Sequence, residues 1–172
     1  MNEVIYNPDN LSESDINKIV RRAKALIVNS NDEILFATSE NNDYFFVGGR
    51  VENNETFDEC IVREMLEETG IDIPLEKRTP FFTITYMNKD YPSEGINTKS
   101  IANYYIVNCD IKPNLNKINL TEEEKSWGFN LEYVPKDEAL GKVRHSLEIC
   151  KNKKAVSDTF EVIKAYLKQE NI

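Results

Sequence analysis

Apolar and polar positions along the chain switch between a period of two and a helical period, and the switches mark the elements. Residues 20–28 alternate, with Ala23, Ala25 and Ile27 on one side and Arg22, Lys24 and Leu26 on the other, which predicts a strand. Asn29, Ser30, Asn31 and Asp32 are turn residues, and EILFAT over 33–38 is a second strand, so the two predict a hairpin. Residues 44–47 read as a short aromatic strand ending at Gly48-Gly49. The segment 57–69 is the clearest helix, with Gly70 as its C-terminal stop. Strands are expected at 79–87 and 100–109, with a polar loop over 87–99 between them. Residues 110–127 read as loop with an acidic run at Glu122, Glu123 and Glu124, and 128–134 as one more strand. Pro135 opens a short helix, PKDEAL. Val156, Phe160, Ile163 and Leu167 recur at helical spacing, so an amphipathic helix is expected over 155–170. Residues 1–18 form a polar N-terminal segment in which Ser12 and Asp15 suit the cap of a short helix. Strands mixed with a few helices predict one α/β domain over 1–172 with a mixed sheet.

Length and composition narrow the class. A chain of 172 residues reads as one domain and can bury roughly 70% of its unfolded surface. An apolar fraction of 40%, with eight Phe and eight Tyr, argues against disorder. The formal charge of −9 argues against a nucleic acid polymer as a general partner, since that binding rests on Lys and Arg. It leaves small phosphate esters open, because metal ions supply positive charge that side chains do not. No apolar run reaches a membrane span, and the start, MNEVIYNPDN, lacks a signal-peptide pattern, so a cytoplasmic location is expected. Cys60, Cys109 and Cys150 are odd in number and widely spaced, which reads as three reduced thiols.

Candidate chemistry concentrates in the 57–69 helix. Glu64, Glu67 and Glu68 stand at i, i+3 and i+4 and share one face. Val62, Met65, Leu66 and Thr69 are expected to pack from the opposite side. By itself the helix allows a solvated acidic face, with Arg63 pairing Glu59 and Glu67. It equally allows a divalent cation site, because Mg²⁺ prefers hard oxygen ligands and takes few carboxylates. The preceding residues favour the second reading. Gly48 and Gly49 let the backbone turn tightly and approach a ligand, and Glu55 stands just before the helix.

Gly49, Glu55, Arg63, Glu64, Glu67, Glu68 and Gly70, with Met65 and Ile71 at bulky aliphatic positions, make the pattern G-x5-E-x7-R-E-U-x-E-E-x-G-U. Residues 49–71, GRVENNETFDECIVREMLEETGI, resemble a complete Nudix box. Seven fixed matches have a chance probability on the order of 10⁻⁸ per start position at ordinary residue frequencies. Two positions depart from the common pattern: Val47 replaces a frequent Pro before the double glycine, and Asn54 a frequent Gly before Glu55. Asn tolerates left-handed backbone, and neither change removes a candidate ligand.

The resemblance implies an αβα sandwich with a mixed sheet and the box helix packed on it. It implies hydrolysis of a diphosphate linkage in a nucleoside diphosphate joined to another group, by metal-activated water. Mg²⁺ is the implied cofactor, with Mn²⁺ as a substitute. Carried over, Glu64 and Glu68 are direct ligands, Glu67 is a third or acts through water, the Gly49 carbonyl adds a donor, and Glu55 supports the site or a second metal. Arg63 orients the carboxylates. The general base is a box glutamate, Glu64 or Glu67, or an acidic loop residue, with Glu123 or its neighbours Glu122 and Glu124, or Glu94, as candidates. The 122–124 run also reads as the acidic first turn of a helix after Thr121. His145 reads as a surface residue.

Substrate choice lies outside the box. Arg22, Lys24 and Arg50 are candidate phosphate contacts, although solvent exposure explains each as well. Phe46, with Tyr44 on the same strand face, and Tyr86 are candidate stacking surfaces, although sheet core explains the first two. Substrates left open are (d)NTPs, dinucleoside polyphosphates, ADP-ribose and nucleotide sugars. The implied partner is a small nucleotide, with no membrane; many relatives are homodimers, and nothing in the chain marks an interface. The alternative function is a catalytically inactive Nudix-fold module that senses a nucleotide, against which the complete set of carboxylates speaks. An isopentenyl-diphosphate isomerase would need a His-rich site, and the chain has one His. An interaction protein with an acidic helix would hydrolyse nothing.

Overall fold

The computed structural model describes residues 2–74 and 77–169. The elements are β1 (Asn2–Tyr6), β2 (Lys18–Val28), β3 (Glu33–Thr38), β4 (Tyr44–Phe45), α1 (Phe57–Thr69), β5 (Arg78–Asn88), β6 (Thr98–Asn108), α2 (Glu122–Ser126), β7 (Asn130–Pro135), α3 (Lys136–Ile149) and α4 (Lys153–Gln169). The expected end of the last helix at residue 170 lies outside the described residues.

Among the described residues the strands form one mixed sheet in the order β1-β5-β6-β2-β3-β4, with β7 on the other edge of β3. β1 runs parallel to β5, and β2 runs parallel to β6 along its whole length. The remaining pairs are antiparallel. Alternation on β2 decides the layering, because successive strand residues face opposite sides. Ala23, Ala25 and Ile27 join the core beneath α1, with Cys60, Ile61 and Met65. Leu26 and Val28 join a second core beneath α3 and α4, with Phe36, Val143 and Ile163. Helices therefore cover both faces of the sheet, an αβα sandwich.

Several expectations need correction. The polar N-terminal segment contains β1, whose five residues are exposed or half-buried and carry no alternation signal. Ser12 does cap a 3-10 turn over Glu13–Asp15, through Asp15. The aromatic strand stops at Phe45; Val47 instead makes an isolated bridge to Ala25, so the chain can leave the sheet at Gly48. The acidic run lies in α2, not in loop, with Thr121 capping and Glu124 returning the bond. The helix after Pro135 runs to Ile149, held by a narrow buried stripe of Ala139, Val143 and Ser146.

The α1 faces also differ from expectation. Cys60, Ile61, Glu64, Met65, Glu68 and Thr69 are buried, while Leu66 is exposed and Val62 half-buried. Ile61 and Glu64 are three residues apart and so only about 60° apart around the helix. The carboxylates therefore rim the packed face rather than oppose it.

Candidate active site

Local sequence builds the site. Thr56 accepts from the Glu59 amide and Glu59 bonds back, so α1 starts at a capping box, and Gly70 closes it. The loop before α1 passes against β2: the Ala23 amide donates to the Gly49 carbonyl (3.1 Å) and the Val51 amide to Arg21 (2.9 Å). Gly48 has φ +126°, and a side chain there would strike the β2 backbone. A side chain on Gly49 would strike the Glu64 carboxylate. Both glycines thus bring the loop backbone against the glutamates. Asn54 takes the left-handed φ of +67° that its side chain tolerates.

Arg63 ties the carboxylates together. Its Nε donates to Glu55 Oε1 at 2.8 Å and its Nη1 to Glu64 Oε1 at 2.8 Å and Glu67 Oε2 at 3.0 Å. Its Nη2 donates to Glu55 Oε2 at 3.0 Å and to the Arg50 carbonyl at 3.1 Å. The hydrogen bond from Arg63 holds the Glu55 carboxyl below its usual range. Glu68 is buried under the double glycine and accepts from the Gly48 amide at 2.8 Å. Burial pushes the Glu64 and Glu68 carboxyls up, against the field of Lys24. Lys24 itself donates to the Gly48 carbonyl.

The glutamates wall a cavity of about 980 Å³. Six carboxylates, Glu52, Glu64, Glu67, Glu68, Glu123 and Glu124, line it against the guanidinium groups of Arg21, Arg50 and Arg63. A second cavity, of about 830 Å³, lies on the α4 side of the sheet and shares Gly49, Arg50, Glu68, Glu123 and Glu124 with the first. Arg22, Phe46, Arg50 and Tyr86, the four candidate substrate residues, all line this second cavity, as does Lys24. Phe46 is at the same time fully packed in the core. The Tyr86 ring is already stacked on Tyr6 at 4.8 Å, with the Lys154 ammonium 3.9 Å from its centroid, and its hydroxyl donates to Asp158 at 2.5 Å.

Within the acidic run the three residues have different surroundings. Glu122 lines neither cavity and pairs with Lys125, and Glu124 caps the Thr121 amide at 2.6 Å. Glu123 lines both cavities and makes no side-chain ion pair or hydrogen bond among the described residues. Glu94 and His145 are exposed and line neither cavity. The structure adds residues that the sequence did not single out: Lys18, Trp127, Lys154 and Asp158 line the second cavity. The Trp127 indole N–H is shielded from solvent and has no acceptor among the described residues.

The donor set fits a hard divalent cation. Glu64, Glu67 and Glu68 offer carboxylate oxygens on one wall, two of them desolvated. Among the described residues no three acidic, His or Cys side chains are already gathered around one point. Glu64 and Glu67 turn to Arg63 and Glu68 to Gly48, so holding a cation means turning from those partners.

Comparison with solved structures agrees with the architecture. The MutT protein from Methanosarcina mazei Go1 is 21% identical, with a TM-score of 0.54 over 88% of this chain and 96% of that one. The E. coli ORF135 protein is 17% identical, with a TM-score of 0.56 over 93% and 96%. A C. elegans Ap4A hydrolase in a binary complex is 14% identical, with a TM-score of 0.52 over 88% and 98%. At these identities the likeness shows the fold. Among curated proteins none matches the sequence. The family model of the NUDIX domain matches residues 18–153, most of the chain, with the box inside that span. The chain therefore belongs to the NUDIX family and is a Nudix hydrolase. Such enzymes act on small nucleotides and generally use divalent metals. No described helix is long and apolar enough to cross a membrane.

Proposed function

We propose that this Nudix hydrolase cleaves a diphosphate linkage joining a nucleoside phosphate to a second group, with Mg²⁺ as its cation and Mn²⁺ as a substitute. The observation that carries this reading is the wall of α1 glutamates, two of them buried, facing a cleft whose other half is cationic. Glu64, Glu67 and Glu68 would hold the cation, with the Gly49 carbonyl beside them and Glu55 behind Arg63. When bound, the cation neutralises phosphate oxygens and lowers the pKa of attacking water.

The chain's own groups do the rest. Arg63 spaces Glu55, Glu64 and Glu67, its guanidinium set between carboxylates that would otherwise repel one another. Glu123 stands where the two cavities meet and takes the proton of the attacking water; Glu67, half-exposed on the same wall, is the box residue able to share that role. Arg50 and Lys24 flank the junction and hold phosphate oxygens. Arg22 extends that cationic wall along β2.

The test is product release from (d)NTPs, dinucleoside polyphosphates, ADP-ribose and nucleotide sugars with Mg²⁺ or Mn²⁺, for wild type beside Glu68→Gln. Metal-dependent turnover of one class, lower by at least about a hundredfold in the variant, is the expected result. Near-normal turnover by Glu68→Gln would overturn the ligand assignment. Nucleotide binding by wild type without any turnover would point to the sensing module instead.

A further inference from the structure

We propose that the sheet-side cavity holds a phosphoryl group outside the hydrolysed linkage, through Arg22, Lys18 and Lys154. The substrate class is then nucleoside triphosphates and longer polyphosphates, not two-phosphate conjugates with a neutral far end. This rests on the hydrolase reading above and deepens it.

The argument starts from unspent charge. Lys18, Arg22 and Arg50 make no side-chain ion pair or hydrogen bond among the described residues, although the chain carries a charge of −9. All three line one cavity. Away from the shared rim four cations, Lys18, Arg22, Lys24 and Lys154, line it against two carboxylates, Asp43 and Asp158. Asp43 also accepts from the Asn152 amide at 3.0 Å and the Ser39 hydroxyl at 2.7 Å, and Asp158 from the Tyr86 hydroxyl at 2.5 Å. Asp158 answers part of the charge of Arg22 and Lys154, and the remaining balance is cationic, with guanidinium and ammonium donors open to an acceptor.

Position adds direction to charge. Lys18, Arg22 and Lys24 lie on one face of β2, and alternate residues on a strand are about 7 Å apart. Lys24 stands at the glutamate end, within the field of Glu64 and Glu68. Arg22 is next along, bridged backbone to backbone with Arg50, and Lys18 lies beyond. A chain of phosphates leaving the glutamate wall would meet these cations in that order. Lys154 closes the cavity from α4, and burial holds its ammonium below its usual pKa, a cost that an anionic ligand would offset. A neutral sugar in this position could accept hydrogen bonds from them but would bring no counter-charge.

Trp127 is the one tryptophan of the chain and lines this cavity, so its fluorescence reports occupancy without turnover. The experiment titrates metal-free protein in EDTA with ATP against ADP-ribose, and with GTP against GDP-mannose. Wild type is expected to bind the triphosphate of at least one pair about tenfold more tightly or better, the size of one charged hydrogen bond. Arg22→Gln and, separately, Lys154→Met should each cut that preference severalfold. Arg22 is exposed, so its variant keeps the test sound if Lys154→Met fails to fold. Equal binding within both pairs, no fluorescence response to any ligand, or equal losses on both members would overturn the subsite. Turnover of the same ligands with Mg²⁺, measured beside binding, separates the two readings. A preserved triphosphate preference without turnover in wild type would sink hydrolysis alone, and turnover without preference would sink the subsite alone.

Discussion

At the α1 end of the cleft the charges are locked to one another, and at the sheet end they stand open. Arg63 spends its guanidinium on Glu55, Glu64 and Glu67, and Glu68 is tied to the Gly48 amide. Across the double glycine, Arg22, Lys18 and Arg50 have no such partners among the described residues. The first arrangement suits a site that must hold like charges at fixed spacing, because repulsion is balanced inside the protein. The second suits a site whose counter-charge arrives with the ligand. The backbone turn at Gly48-Gly49 lets both share one cleft, with α1 on one face of the sheet and the cationic cavity on the other.

Breaking the packing under the locked end has the largest expected effect. Met65 is fully buried between α1 and the sheet, so Met65→Asp should cost at least about 4 kcal/mol and leave the chain unfolded or nearly so by thermal melting. Arg63→Met removes the lock itself. A broken buried ion pair costs about 3–5 kcal/mol, and discounting for the 26% exposure of Arg63 leaves about 2 kcal/mol. Mg²⁺ should return part of that loss in a melt, since a cation replaces the missing charge.

Smaller changes sharpen the open end. Tyr86→Phe removes the hydroxyl donor to the half-buried Asp158 and should cost about 1 kcal/mol while leaving the cavity's cations in place. Urea unfolding measures it, and an unchanged midpoint would show that the bond between β5 and α4 carries nothing. His145→Ala changes an exposed residue outside both cavities and should alter neither melting nor turnover.

The two ends differ in the same way in how readable they are from the chain. The glutamate wall comes from one contiguous stretch whose caps, Thr56 with Glu59 and then Gly70, fix the helix, so local sequence suffices. Its packing was harder to read. Glu64 and Glu68 look like solvent-face residues, yet the loop at Gly48-Gly49 buries them, and Leu66 is left exposed in their place. The cationic cavity draws Arg22 and Lys18 from β2, Arg50 from the loop before α1, Tyr86 from β5, Trp127 from the α2–β7 connection, and Lys154 from α4. No single segment carries its pattern. Lys154 in particular reads as the polar side of an amphipathic helix, and only its stacking on Tyr86 marks it. β1 failed for a related reason: its residues earn their place by pairing with β5, a partner far along the chain.

The most direct test of the locked end is Mn²⁺ binding, followed by the electron paramagnetic signal of the free ion, in wild type, Glu64→Gln, Glu68→Gln and Glu122→Gln. It reads the site without any substrate or turnover. The account expects wild type and Glu122→Gln to bind alike, and both α1 variants to bind at least about tenfold more weakly. Wild-type affinity in Glu64→Gln and Glu68→Gln would contradict it and leave the glutamate wall as an acidic face without a cation.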